Sequence, residues 1–236
     1  MKSRKKILLT VQGNGGTAIL ESSIFFMFIM TLLLVGSLLV DYFETGDKVE
    51  RLITIALQDT GIRPLKIETN ISAGTVRTSV RHQAIQDYLS NIYDTVTAKV
   101  FGLGDVEDYY LELAYAELQI DPQTGAPLGV SPTPFTFRLE GGGLSVPADI
   151  AQKVSLADAF SRYAQQSFSN GVSPYAVPTA VFNRGRGQNY LPTAVMVGMS
   201  LVIKIEGGTA NTLERLIGLD PYSYGRKVIV LRGEVL

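Results

Sequence analysis

Ser22-Ser23-Ile24-Phe25-Phe26-Met27-Phe28-Ile29-Met30-Thr31-Leu32-Leu33-Leu34-Val35-Gly36-Ser37-Leu38-Leu39-Val40 is a run of 19 residues without a charged side chain. Wound as an α-helix at about 1.5 Å per residue, it is roughly 28 Å long, close to the hydrocarbon thickness of a bilayer. No proline occurs before Pro64 to break it. Three readings compete. A buried core helix is disfavoured by length and by apolarity on every face. A cleaved secretory signal has a shorter apolar core, about 7–15 residues, with a small-residue cleavage site after it, and no Ala-x-Ala follows here. A retained transmembrane helix fits both length and composition. The run also explains why only 18% of the 236 residues are charged, against roughly 25% in an average soluble domain.

The flanks set the orientation. Lys2, Arg4, Lys5 and Lys6 precede the run with no acid before Glu21, whereas Asp41, Glu44 and Asp47 follow it. The positive-inside rule therefore leaves the N-terminus in the cytoplasm of a single-pass inner-membrane protein and exports the bulk of the chain. The next most apolar stretch, Thr193 to Ile203, contains Gly198, is followed by Lys204 and suits a buried strand.

Glu21 lies at the entrance of the apolar register, five residues after Gly16. A carboxylate at mid-bilayer costs on the order of 2.5–3.5 kcal/mol, and less near a helix end. Two readings stay open at this level: a solvated carboxylate marking the cytoplasmic interface, or a group awaiting a counter-charge that appears on processing or assembly.

The order basic leader (Lys2 to Lys6), Gly16, Thr17-Ala18-Ile19-Leu20, Glu21, then a long apolar helix resembles the class III signal of type IV pilins and pseudopilins. Gly15-Gly16-Thr17-Ala18-Ile19-Leu20-Glu21-Ser22-Ser23 is most similar to the TadE-like minor pilins of tight-adherence pili. The resemblance covers residues 1 to 58. It implies cleavage by a prepilin peptidase between Gly16 and Thr17, retention of the helix, and pairing of Glu21 with the new N-terminal ammonium of a neighbouring subunit. Thr17 departs from the Phe common at the first mature position of major pilins, and with no cysteine the disulfide-closed loop of many pilins is absent. Loss of Met1–Gly16 would remove four of the 21 basic residues and none of the 22 acidic ones, taking the formal net charge from −1 to −5. The cytoplasmic positive anchor would go with it.

Past the run, Val49, Leu52, Ile53, Ala56 and Leu57 recur at helical spacing, so the helix is expected to continue into the exported domain until Gly61 and Pro64, unless it breaks at Gly46. Strands are expected at Leu65 to Ile71, Tyr109 to Ile120, Phe135 to Leu139, Ala194 to Glu206 and Arg226 to Val235. Helices are expected from Arg81 to Val100, from Pro147 to about Phe168, and briefly from Ala210 to Ile217. Asp121 to Gly125 reads as a turn, Gly141-Gly142-Gly143 as a flexible connector, and Asn170 to Asn189 as an exposed loop. The fold class is α+β, with a pilin-like long helix entering a domain built on an antiparallel sheet. The organisation is a leader over 1–16, a membrane and extended helix over 17–60, and an exported domain over 61–236.

Catalytic apparatus is sparse. Zero Cys removes thiol chemistry and cysteine metal sites, and His82 is the single histidine, with no nucleophile elbow beside it. Asp105, Glu107 and Asp108 lack EF-hand spacing and read as a solvated turn rather than a hard-cation site. Gly141–Gly143 lacks the following Lys-Ser or Lys-Thr of a phosphate loop. Arg184-Gly185-Arg186-Gly187 is a local basic loop, and Tyr109, Tyr110 and Tyr115 read as sheet packing. The near-balance of charge argues against nucleic acid as a partner. The expectation is a non-enzymatic minor pilin or pseudopilin without cofactor or metal, whose partners are the membrane, a prepilin peptidase and other pilin-like subunits. The rivals are an uncleaved, signal-anchored periplasmic interaction domain and a membrane-anchored hydrolase.

Overall fold

A computed structural model describes residues 3–58, 65–72, 75–80, 82–104, 106–120, 124, 126–130, 137–166, 176–178, 190–192, 194–206, 212, 215 and 218–235. In chain order the elements are α1 (Ser3–Gln58), β1 (Leu65–Ser72), β2 (Thr75–Val80), α2 (His82–Val100), β3 (Val106–Ile120), β4 (Pro127–Val130), β5 (Phe137–Gly141), α3 (Ala148–Val154), α4 (Leu156–Gln166), β6 (Ala176–Pro178), β7 (Tyr190–Pro192), β8 (Ala194–Ile205) and β9 (Tyr222–Val235).

The centre of the molecule is a four-strand antiparallel sheet in the order β5-β3-β8-β9. Its registers are long: β3 and β8 pair from Val106↔Ile205 to Glu117↔Val195, and β8 and β9 from Lys204↔Tyr222 to Ala194↔Arg232. At one end the antiparallel β1–β2 hairpin bridges the tails of β9 and β3. It joins β9 in parallel at Leu65↔Gly233 and β3 in antiparallel fashion at Val76↔Ile120.

Period-2 alternation sorts the side chains between the two faces. Leu111, Leu113, Tyr115, Val195, Val197, Met199 and Leu201 point to the face covered by α1 and α2, where they form the main core. α2 contributes Ile85, Leu89, Ile92, Val96 and Val100, all fully buried, at the helical spacing its sequence predicts. The other face carries α3 and α4 over a smaller cluster of Ile150, Val154 and Val202. Gly198 lies beneath α4, where an added Cβ would meet the Phe160 ring at 2.9 Å, so this helix can approach only because no side chain stands there.

α1 runs without interruption from Ser3 to Gln58, and Gly46 does not break it. Its upper part is stitched to β9. Tyr42 donates its hydroxyl proton to the Tyr222 carbonyl at 3.1 Å, and Lys227 Nζ donates to Thr54 Oγ1 at 3.0 Å. Gly225 admits Ile53, whose Cδ1 would lie 2.9 Å from an added Cβ. At the top, Tyr88 Oη reaches the Leu57 carbonyl at 3.4 Å, and so supplies one of the donors that the end of a helix lacks. The helix ends at Gln58; Gly61 and Pro64 lie outside the described residues.

Three expectations are corrected. The helix expected from Pro147 to about Phe168 is two helices divided at Ser155, whose Oγ accepts the Asp158 N–H at 3.3 Å and caps α4. Gly141-Gly142-Gly143 is a close-packed turn rather than a flexible connector. Gly142 has φ +92°, and a Cβ there would collide with the Tyr109 carbonyl oxygen, as one on Gly141 would with Tyr93 Oη. β9 starts at Tyr222, four residues before the expected Arg226. Within the expected loop 170–189, Ala176–Pro178 pairs with β7. Of the helix expected at 210–217, Thr212 and Arg215 are helical. Phe135, Asp121, Gly125 and Arg184 to Gly187 lie outside the described residues.

Candidate functional site

Two places combine unusual exposure or burial with chemistry: the lower half of α1, and a polar row on the face of the sheet away from α1.

The lower half of α1 is an apolar shaft on which none of the described residues packs. Phe25, Met27 and Leu33 are 65%, 69% and 63% exposed. Thr17–Gln58 is long and apolar enough to cross a membrane, and its most apolar window is 0% buried. Soluble monomers rarely leave a contiguous apolar surface of this size in water. Three hydroxyls of the shaft are satisfied within the helix. Ser22 Oγ donates to the Ala18 carbonyl at 2.6 Å, Ser23 Oγ to Ile19 at 2.8 Å and Thr31 Oγ1 to Met27 at 2.8 Å. Such back-bonding removes the penalty of placing hydroxyls in an apolar medium.

Gly16 and Thr17 lie within the continuous helix, and Thr17 is exposed. Glu21 is also exposed, and among the described residues no ion pair involves it. Thr17 and Glu21 are four residues apart and share one face of the helix, about 6 Å along its axis. Gly13, Gly15 and Gly16 each weaken the helix by about 1 kcal/mol relative to Ala, so the segment before the Gly16–Thr17 bond has the densest cluster of poor helix formers in α1.

The polar row was not visible in the sequence. Glu140 on β5, Glu112 on β3, Ser200 on β8 and Arg226 on β9 are cross-strand neighbours. Glu112 is 5% exposed, and Arg138 Nε meets its Oε1 at 2.9 Å. The same guanidinium also pairs with Glu140. Tyr110 donates its hydroxyl proton to Glu140 Oε1 at 2.8 Å. Burial raises the Glu112 pKa above the ordinary carboxylate range against the pull of Arg138. Burial, the bond to Glu140 and the charge of Glu112 push the Tyr110 hydroxyl up to about 12. Ser200 is fully buried, and its Oγ has no hydrogen-bond partner among the described residues. Arg226 Nη1 donates to the Ser155 carbonyl at 3.1 Å and ties β9 to the α3–α4 corner. A cleft of about 450 Å³ opens beside Tyr110, Glu112 and Arg138, walled by Leu144, Val146 and Leu156. With the carboxylate of Glu112 and the guanidinium of Arg138 spent on each other, the cluster clamps β5 to β3.

The acidic group read as a turn is likewise engaged. Glu107 pairs with Lys204 at 2.9 Å, and Asp108 Oδ1 accepts the N–H groups of Tyr109 at 2.8 Å and Gly143 at 3.3 Å; Asp105 lies outside the described residues. Among the described residues no group of three or more His, Cys, Asp or Glu side chains is placed to hold a metal. Tyr115 packs in the main core, 6.4 Å from the Phe137 ring. Comparison of the chain with family models, with curated proteins and with solved structures gives no significant match.

Proposed function

We propose that the chain is a minor pilin or pseudopilin subunit of a Tad-like pilus or related secretion system, processed between Gly16 and Thr17 and held in the inner membrane by α1 until assembly. The observation that supports this most is one unbroken helix with two kinds of surface. Its upper part is docked by Val49, Leu52, Ile53, Ala56 and Leu57 on an antiparallel sheet, and its lower part is apolar and uncovered. A shaft of this kind is stable in lipid, and equally stable against the shafts of identical or related subunits. In the proposed cycle the peptidase releases the basic leader and leaves an ammonium at Thr17. Glu21 then accepts a neighbour's ammonium, so that each charge offsets what the other would cost in an apolar bundle. The exported domain carries no catalytic role in this reading.

The mass of the mature protein from cells that contain a prepilin peptidase tests it. The expected N-terminus is Thr17, and Gly16→Ala abolishes the cut. Glu21→Ala then inserts normally and assembles poorly. An intact Met1 on the protein in the assembled envelope sinks the pilin reading. It leaves the uncleaved, signal-anchored interaction domain.

A further inference from the structure

We infer that the base of the exported domain rests on the bilayer, with the loop 101–104 pressing Phe101 into the zwitterionic headgroup layer of the outer face of the membrane. The inference depends on α1 spanning the membrane and adds a second point of lipid contact to it. Outside α1, the described residues leave two large hydrophobic side chains exposed, Phe101 at 58% and Tyr224 at 37%. Tyr224 has Lys153 over its ring, 5.7 Å from the centroid. Phe101 has the edge of Tyr109 at 5.6 Å and is otherwise open.

Its height above the lipid follows from the contacts of α1. α2 descends antiparallel to α1, from Tyr88 beside Leu57 to the loop at its foot, where the Cβ position of Gly104 lies 3.7 Å from Thr45 Oγ1. The uncharged run ends at Val40, so Thr45 stands about 7.5 Å beyond it along the axis. The headgroup layer is roughly 5–7 Å deep on each side. Gly104 therefore sits at its outer margin, and the exposed ring of Phe101, three residues earlier in the same loop, is long enough to span the remainder. A helix tilt of about 20° toward α2, whose axis lies some 8–10 Å away, lowers the loop by roughly 3 Å more. Phe43, 64% exposed and about 4.5 Å past Val40, lies within the same layer on the shaft itself.

The loop presents Phe101 firmly. The Gly102 N–H bonds the Lys99 carbonyl at 2.9 Å and the Leu103 N–H that of Val100 at 3.2 Å, while Leu103 is buried in the main core. A side chain held outward at this level, continuous with an apolar shaft, takes the place aromatic residues occupy at membrane interfaces. Charge selects the lipid: Asp41, Glu44, Asp47 and Asp220 outnumber Lys48 and Lys99 around the base, which disfavours anionic headgroups.

The chain has no tryptophan, so single substitutions report cleanly. The full chain is reconstituted in vesicles of phosphatidylcholine and phosphatidylethanolamine containing lipids brominated either near the headgroup or deep in the acyl chain. Phe101→Trp is expected to emit to the blue and be quenched by the shallow bromine, whereas Ile55→Trp, equally surface-exposed but higher on α1, shows neither. Phe28→Trp, quenched by the deep bromine, reports the span itself. If Phe28→Trp is quenched while Phe101→Trp behaves like Ile55→Trp, the resting base is wrong and the span stands. If Phe28→Trp escapes quenching, both fall together.

Discussion

Leu32 and Ile55 sit on the same helix and are almost equally exposed, at 56% and 50%. Around Ile55 the other faces of the helix are buried against β9 and α2, and the exposed stripe carries Glu50, Arg51 and Gln58. Around Leu32 every face is open and apolar. Exposure alone thus means different things in the two halves. In the upper half it is the solvated side of an amphipathic helix. In the lower half it is the uncovered apolar surface that the proposed function assigns to lipid or to another shaft. One continuous helix needs no joint between the two because its backbone hydrogen bonds are satisfied internally in either medium.

Substitutions in the two halves should separate these roles. The largest expected effect is Leu57→Ala, which opens a cavity in the main core. It should cost about 2–5 kcal/mol in denaturation of the detergent-solubilised chain while leaving membrane partition unchanged. Leu32→Arg should do the converse. It raises the insertion cost by about 2.5–3.5 kcal/mol, seen as loss from the membrane fraction, whereas Ile55→Arg is nearly neutral in both assays. Gly225→Ala pushes a methyl group against Ile53 and should loosen α1 from β9 by about 1–3 kcal/mol, with a lower melting temperature as the readout.

The smallest effect lies on the opposite face of the sheet and serves as a control untouched by α1. The Glu112 pKa is raised in the folded chain, so the native state holds its proton to higher pH than the unfolded state does. That contribution is fully present below the unfolded carboxylate pKa and is lost as pH rises through the folded one. Glu112→Gln should therefore match the parent chain at acidic pH and become relatively more stable as pH climbs to 7, by denaturant midpoints. An advantage that grows instead as pH falls would contradict the desolvated carboxylate.

From Thr17 to Gln58 the helix was legible in the sequence, because an uncharged run and a 3.6-residue repeat are both local signals; its extension back to Ser3, through Gly13, Gly15 and Gly16, was not. The burial of Ile85, Leu89, Ile92 and Val96 was legible for the same reason, as were β8 and most of β3. The division at Ser155 had a signal that a continuous helical pattern overrode: Ser155-Leu156-Ala157-Asp158 has the spacing of a capping box, with Asp at its last position. The glycine run had none. Whether three glycines flex or pack depends on Tyr93 and Tyr109, distant in sequence. Glu112, Arg138 and Ser200 were equally hidden. Each looks like an ordinary outward position of an alternating strand, and only the register and the cover of α3 and α4 bury Glu112 and Ser200. At Gly16, Thr17 and Glu21 the position on the helix was legible, while the role proposed for them rests on a peptidase and on neighbouring subunits.

In the proposed membrane span, α1 passes from one solvent to another near Val40. With no native cysteine, single cysteines placed from Ile24 to Ile55 can be probed in intact membranes with a water-borne maleimide. Positions 24 to 39 should resist labelling while exposed positions such as Glu50 and Ile55 react, with a step near Asp41. Uniform labelling along the helix, with no step, would contradict the account.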